Sequence, residues 1–472
     1  MAIKKVPSLD GSGKIFNKHI PDRLQDAALN ATYATLDSGG RQPVRKDELY
    51  FNVKDFGAKG DGGTNDTASF NAAISAASSG NLTLASAVVF VPKSAGAYRL
   101  SNVNIPSGVR LVGNGAVLKP LAGTTGALLT FPGTYAGIEG LLLSGGYYAN
   151  ASAISLPTGS RWNTIDNCRF DGWGGRAIYD QGIANWISRI LAMNCLQDAD
   201  SLTTYAGVLE LAGTDAWVRD VELTASRYPA RGMSTSKFAC AMAITGANHM
   251  VQNAVCETSD HGVYIGVGAT QLNLSGVRGE LCYGHGWVIA GGSGRISNPM
   301  ALRNSQAGDL LYDGFHVNAG ASTSFLVSNA WSESATSPTR QNFGIYDGVV
   351  SRSSFNRWAN PNDIGSNIKY FAANTTGTSF GFPENPPTPM TASTATPNVA
   401  GNTNLLANNT SAVTVTAFNG GVNGQKLLIR GDGFTTLANN ATINPASGSN
   451  LLLASGTWYR FIRVEGVWVQ LP

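Results

Sequence analysis

Along the middle of the chain, apolar and polar residues alternate in short runs, and the runs come in pairs. The first run of a pair reads Trp186-Ile-Ser-Arg-Ile, Trp217-Val-Arg-Asp-Val, Met250-Val-Gln-Asn-Ala-Val, Leu272-Asn-Leu-Ser-Gly-Val and Phe325-Leu-Val-Ser-Asn-Ala. The second is led by glycine, as in Gly207-Val-Leu-Glu-Leu, Gly262-Val-Tyr-Ile, Gly286-Trp-Val-Ile, Gly314-Phe-His-Val and Gly344-Ile-Tyr, with an Ala-led copy at Ala241. Alternation at period two predicts half-buried strands. Self-similarity on a period of ~20–50 residues predicts stacked supersecondary units. The units hold strands and turns but no helix, so the stack is expected to be a parallel β-helix rather than a leucine-rich or ankyrin solenoid. Rungs ~4.8 Å apart would then stack Ile, Val and Leu inward and polar columns outward.

The flanks differ from this core. Residues 1–48 contain a short amphipathic stretch in which Leu24, Ala28 and Tyr33 share one helical face. The segment is too small for a core of its own, which predicts attachment to something else. Residues 383–400 are rich in Pro and Thr and read as an extended linker, unable to form a ladder or helix. Residues 401–472 alternate short strands with turns and predict a small antiparallel β domain. The β-helix is thereby bounded at 49–382.

Composition sharpens this picture. Only 13% of the 472 residues are charged and 56 are Gly, against roughly 25% charge in an average domain. Helical bundles, coiled coils and acidic disordered chains need more charge than this. In a stack of rungs a charged outward column repels itself about every 5 Å, so neutral polar columns are expected. Lys plus Arg is 33 and Asp plus Glu 30, a net +3 with no basic run, so neither nucleic acid nor an anionic membrane is an expected partner. Cys168, Cys195, Cys240, Cys256 and Cys282 are spread singly and read as small buried hydrophobes. The N-terminus lacks the apolar core of a signal peptide, and no stretch approaches ~18 apolar residues, so folding in the cytoplasm is expected.

One motif carries a family resemblance. The segment from Val53-Lys-Asp-Phe-Gly-Ala-Lys-Gly-Asp-Gly-Gly through Phe70 to Ile74 resembles the opening signature of the pectate-lyase-like β-helix superfamily. There Gly57, Gly60 and Gly62 allow tight turns, Asp66 or Thr67 caps a short helix, and Phe70, Ala73 and Ile74 cover the open first rung. The resemblance implies a right-handed parallel β-helix, a fold shared by lyases, hydrolases and adhesins. With its two end segments the chain resembles phage tailspike or receptor-binding proteins, and Ile20 to Leu36 is similar to N-termini of minor tail proteins. That resemblance implies a homotrimer in the virion tail, docked to other tail or baseplate proteins through residues 1–48, and binding a host cell-envelope polysaccharide.

Candidate chemistry lies in two columns. Counting four residues past the turn positions Asn253, Gly276, Pro299 and Asn329 aligns Glu257, Glu280, Arg303 and Glu333. Glu257 and Glu280 would be about 5 Å apart, within the ~5–5.5 Å of a retaining glycosidase pair rather than the ~6.5–9.5 Å of an inverting one. Stacked carboxylates raise one another's pKa, which suits one to act as general acid. Arg303 would hold the other ionised or bind an acidic sugar. A solvated Glu–Arg ladder or a contact between trimer subunits would leave the same pattern. Trp331 lies two residues before Glu333, on the same strand face, and would seat a sugar ring.

The second column is His261, His285 and Asp313, with Tyr283 and Tyr312 near it. Gly284-His-Gly resembles the short His motif of polygalacturonase-type hydrolases, but their Asn-Thr-Asp and Asp-Asp segments are not present. A hydrogen-bonding corner histidine is the competing reading. Asp198 and Asp200 supply too few oxygens for a calcium site, and no metal or cofactor is expected. Trp173, Trp186 and Trp217 recur at rung starts and are expected in core or turn packing. Two functions remain: a non-catalytic receptor-binding tail protein, or a polysaccharide depolymerase using Glu257 and Glu280.

Overall fold

The computed structural model describes residues 50–471 apart from 80–86, 147–150, 197–204, 225–237, 319–320, 337–338, 349–355, 360–361, 365, 367, 373–377 and 382–387. The attachment segment 1–48 lies outside the described residues. The chain from Tyr50 onward winds into a right-handed parallel β-helix. Its strands form a 19-stranded and an 11-stranded sheet, and the ladders in both are parallel.

The larger sheet bends, which gives each rung three faces. In Trp186–Met193, Trp186–Ser188 pair with Thr164–Asp166, and Leu191–Met193 pair with Arg169–Asp171. Between them Arg189 turns the corner at φ +54°. Asn167, Asp220, Asn253, Gly276, Asn298 and Asn329 turn the same corner on other rungs, with φ of +50° to +63°. This left-handed region strains most L residues, and Asn, Asp and Gly tolerate it best. The polar side chains also bond between rungs: Asn253 Nδ2 donates to Asp220 Oδ1 (3.1 Å), and Asn329 Nδ2 to Asn298 Oδ1 (3.0 Å). The third face comes from the Gly-led strands, such as Tyr205–Leu211, Phe238–Ile244 and His261–Ile265.

Period-two alternation places the core as expected. Ile187, Val218, Val251, Leu274, Ile296 and Val327 are register partners, and all are buried. Leu209, Met242, Val263, Trp287, Phe315 and Ile345 do the same on the third face. Part of the glycine content has a packing cause. Gly182, Gly213 and Gly246 stack at one corner, where a Cβ on Gly213 would lie 1.9 Å from the Gly182 carbonyl oxygen. All five cysteines are free and buried.

The helix Thr67–Ser78 closes the first rung, burying Phe70, Ala73, Ile74 and Ala77. Asp66 makes no side-chain cap here; its carboxylate instead accepts the amides of Lys59 (2.6 Å) and Gly60 (3.1 Å) and closes the preceding turn. At the other end a second core gathers Met390, Val399, Leu405, Phe418, Leu427, Phe461 and Trp468. It differs from expectation in two ways. Its sheets are mixed: Lys426–Arg430 pairs antiparallel with Trp458–Val464 but parallel with Asn404–Leu406. The stretch read as a linker contributes to it, since Thr388–Pro389 pairs with Leu405–Leu406 and Met390 is buried. That pair sits on the sheet edge, where proline's missing N–H is tolerated.

Candidate functional site

The second face carries the carboxylates. Register aligns Thr224, Glu257, Glu280, Leu302 and Glu333 on successive rungs. Glu257 and Glu280 are direct partners, so the expected pair is present, with strands ~4.8 Å apart. Arg303 is not in this column, because the corner residue is Asn298 and not Pro299, which shifts the count by one. Arg303 stands at the next corner, φ +50°, and its guanidinium reaches back. Nη2 lies 3.8 Å from Glu280 Oε1 and Nε 3.8 Å from Glu333 Oε1. Arg278 adds a closer contact, Nε to Glu280 Oε2 at 3.0 Å.

These surroundings separate the two carboxyls. Glu257 is pushed above the usual carboxylate range, first by burial, then by the charges of Glu222 and Glu280; Arg278 and the Thr224 hydroxyl oppose the shift. Glu280 is held between Arg278 and Arg303, with its side chain only 13% exposed. Two residues back along the strands, Arg278, Met300 and Trp331 form the neighbouring outward column. Trp331 and Met300 are exposed there, so an aromatic and a thioether lie beside the carboxylates as period two requires.

The histidine column lies past the next corner, between the second and third faces. His261 Nδ1 accepts the His285 amide (3.0 Å), and His285 Nδ1 accepts the Asp313 amide (2.9 Å). Both are thus corner hydrogen-bonding histidines. Burial pushes His261 down to about 3 and His285 well below the ordinary imidazole value, so both are neutral with the proton on Nε2. Tyr312 meets the His285 ring edge-on, 5.1 Å between centroids, and Tyr283 is half-buried beside it.

His316 was not singled out from the sequence, although it stands in the strand Phe315–Val317. Its Nδ1 lies 2.6 Å from Asp313 Oδ2, and its ring centroid 4.2 Å from that of His285. Ligand atoms of His285, Asp313 and His316 fall within 4.8 Å of one another, as a metal site requires. The donor set fits a cation poorly. His285 Nδ1 is engaged by an amide, His316 donates to the Asp313 carboxylate, and Asp313 Oδ1 accepts the Phe343 amide (3.1 Å). The cluster is closed by its own hydrogen bonds. Asp198 and Asp200 lie outside the described residues.

Two tryptophans depart from expectation. Trp173 is buried, but Trp186 and Trp217 are 50% and 47% exposed and stack on each other with centroids 5.2 Å apart.

With this geometry in hand, known proteins can be compared. Residues 50–140 match the family described as rhamnogalacturonase A/epimerase, pectate lyase-like. No curated protein matches the sequence. Among solved structures, the chain is similar to a tailspike protein double mutant of E. coli bacteriophage HK620 in complex with a pentasaccharide. That match has 12% identity and a TM-score of 0.56, covering 84% of this chain and 75% of the other. The enzymatically active domain of bacteriophage CBA120 tailspike protein 2 matches at 13% identity and TM-score 0.53, over 73% and 53% of the two chains. PfbA, a surface adhesin of Streptococcus pneumoniae, matches at 12% identity and TM-score 0.52, over 90% and 98%. The fold is therefore the pectate-lyase-like β-helix seen in phage tailspikes and in a bacterial adhesin. No helix among the described residues is long and apolar enough to cross a membrane.

Proposed function

We propose that this chain is a phage tail protein of the tailspike or receptor-binding kind, which binds a host cell-envelope polysaccharide on its β-helix. The observation that carries the reading is the outward cluster of Glu257, Glu280, Arg303, Glu333 and Trp331 on rigid, adjacent rungs. Sugars need an aromatic surface for their apolar ring face and carboxylates or guanidinium groups for their hydroxyls. The rungs hold both without a mobile loop. The likeness to a tailspike bound to a pentasaccharide supports the same reading. In this reading the chain works as a homotrimer in the virion tail, and residues 1–48 join other tail or baseplate proteins; His261, buried at its corner, is not a glycan contact.

A second reading has one specific observation in its favour, the divergent environments of Glu257 and Glu280. A carboxyl whose pKa is raised, beside one held against two guanidinium groups, is the arrangement an acid and nucleophile pair in glycoside hydrolysis uses. Purified host wall polysaccharide separates the two. Binding without release of reducing ends supports the receptor-binding protein. Release that disappears in Glu257→Gln and Glu280→Gln establishes the depolymerase, and absence of any binding overturns both.

A further inference from the structure

The exposed indoles of Trp186 and Trp217 stand on the first face, across the Arg189–Asp220–Asn253 corner from the carboxylates. They are register partners on adjacent rungs, and their rings are 10° from parallel. Period two sends Trp186 and Ser188, Trp217 and Arg219, and Met250 and Gln252 outward together, while Ile187 and Val218 go into the core. The result is a shallow cleft of about 170 Å³ with an aromatic column on one side and a polar column on the other. Two residues of strand, ~6.6 Å, separate the columns.

We propose that this cleft is a sugar-binding subsite, distinct from the Glu257–Glu280 cluster, that seats one pyranose ring of the glycan. The inference rests on the reading of the chain as a glycan-binding tail protein. An apolar ring face would lie against the indoles and Met250, and the ring hydroxyls would take hydrogen bonds from the Arg219 guanidinium and the Gln252 amide. Ser188 Oγ donates to Asp166 Oδ1 (2.8 Å), so its lone pairs remain to accept from a hydroxyl. Arg219 has no ion pair among the described residues, and its charge is free for a polar ligand.

Three physical points favour a sugar over a second copy of the chain. The rings are held by mutual stacking on a rigid ladder, so a small ligand would order little on binding. A stable protein contact needs roughly 800 Å² from each partner, far more than this cleft offers. Such a contact would also bury the unpaired Arg219 charge, which is costly. On the two rungs before, Tyr135 and Trp162 stack with centroids 5.0 Å apart and are likewise exposed. Tyr135 and Trp162 stand at the corner position that Ala184 and Asp215 hold on the later rungs. Exposed aromatic rings thus occur on four consecutive rungs in two columns two residues apart, a path along which a polysaccharide can continue.

The test applies the full-length protein to an array of bacterial surface polysaccharides, then measures affinity and tryptophan emission with the one it binds best. Trp186→Ala/Trp217→Ala is expected to weaken binding about tenfold or more and to reduce the emission change to the part that Trp331 reports. Trp217→Phe, which keeps a ring, should recover part of the affinity. Glu257→Gln/Glu280→Gln should lower the affinity but, at saturating polysaccharide, still give the emission change of the two indoles. Unaltered affinity and emission in the double Trp variant, with the wild type binding, overturn the subsite. A fall in oligomer mass by sedimentation overturns it too, since it assigns the indoles to a contact between copies. If the wild type binds nothing on the array, the underlying glycan reading itself fails.

Discussion

Glu257 and Glu280 occupy one register position on adjacent rungs, yet Arg278 Nε lies 3.0 Å from Glu280 while Glu257 is paired across its other rung with the neutral Thr224. Burial and the Glu222 and Glu280 charges therefore raise Glu257 out of the ordinary range. The asymmetry comes from the neighbouring outward column, where Val255 gives way to Arg278. A pair of identical side chains thus acquires two environments from one change of residue type on the next rung.

Replacing Glu280 tests that coupling. Glu280→Gln removes one charge that raises Glu257, so the Glu257 carboxyl is expected to titrate at lower pH, as read by carbon NMR of labelled glutamate. If the chain is a depolymerase, either Gln variant should cut turnover by about 10² or more. A Glu257 titration that does not move would show that the two carboxyls do not sense each other.

Glu257 also sets a sign for stability. Its folded pKa is raised, so between the unfolded value of about 4.3 and the raised folded value the folded chain holds the extra proton. Stability from this group is highest at low pH and falls as pH rises through that window. Glu257→Gln should therefore be equally or more stable than the wild type at pH 7, measured by chemical denaturation. A clear loss there would mean that the carboxylate is stabilised rather than strained.

Arg303 should behave as a binding residue with little structural weight. Its side chain is 51% exposed and both carboxylate contacts are 3.8 Å, a geometry in which surface pairs contribute about 0–1 kcal/mol. Arg303→Ala is expected to shift the unfolding free energy by roughly 0.5 kcal/mol or less. Affinity for the polysaccharide should fall several-fold in the same variant. Unchanged affinity would remove Arg303 from the proposed surface.

The glycine stack predicts the opposite balance. A Cβ on Gly213 would sit 1.9 Å from the Gly182 carbonyl oxygen, and on Gly246 it would sit 1.8 Å from that of Gly213. Backbone cannot yield there without separating two rungs, so Gly213→Ala should cost about 3 kcal/mol or prevent folding. Gly108→Ala is the control: its φ is +72° and nothing lies within 4 Å, so about 1 kcal/mol of backbone strain is expected. Equal melting temperatures for the two variants would contradict the packing argument.

How much of this was legible depends on what each residue type can reveal. The β-helix and its inner columns follow from alternation, because Val218 and Val251 are each followed by a polar residue, Arg219 and Gln252, that can only face outward. Glu257, Glu280 and Glu333 fell into one column because a corner residue lay four positions before each. Counting from Pro299 as the corner misplaces Arg303 by one residue. Proline's φ is locked near −65°, so the left-handed residue had to be Asn298, at φ +51°. The recurrence of Trp186 and Trp217 at rung starts points to core or turn packing, but each is followed by an apolar residue, Ile187 or Val218, that takes the core position. Two apolar neighbours leave the parity of the strand open at that end, and the register alone decides it. The pairing of His316 with Asp313 depends on a turn between them that alternation does not describe. Met390 and Val399 were hidden by the prolines and threonines around them.

His249 gives the sharpest pH prediction. It is buried, and its Nδ1 accepts the Ala216 amide at 3.1 Å. On earlier rungs the same corner position belongs to asparagine: Asn163 Oδ1 accepts the Ala136 amide (2.9 Å) and Asn185 Oδ1 the Asn163 amide (3.0 Å). Burial pushes His249 down to about 4, whereas an unfolded histidine titrates near 6.5. Between those values the unfolded chain takes up a proton that the folded chain refuses, so stability is lost as pH falls from about 6.5 toward 4. The group's share of that loss is about 3 kcal/mol by pH 4. Asparagine can accept the same amide without titrating, so His249→Asn should be close to wild type at pH 7.5 and more stable than it at pH 4. His261 and His285 are likewise held neutral by burial in the folded chain and remain in both proteins, so the difference between the two unfolding curves isolates His249. If wild type and variant lose stability in parallel across that range, the buried imidazole is not what makes this rung acid-sensitive.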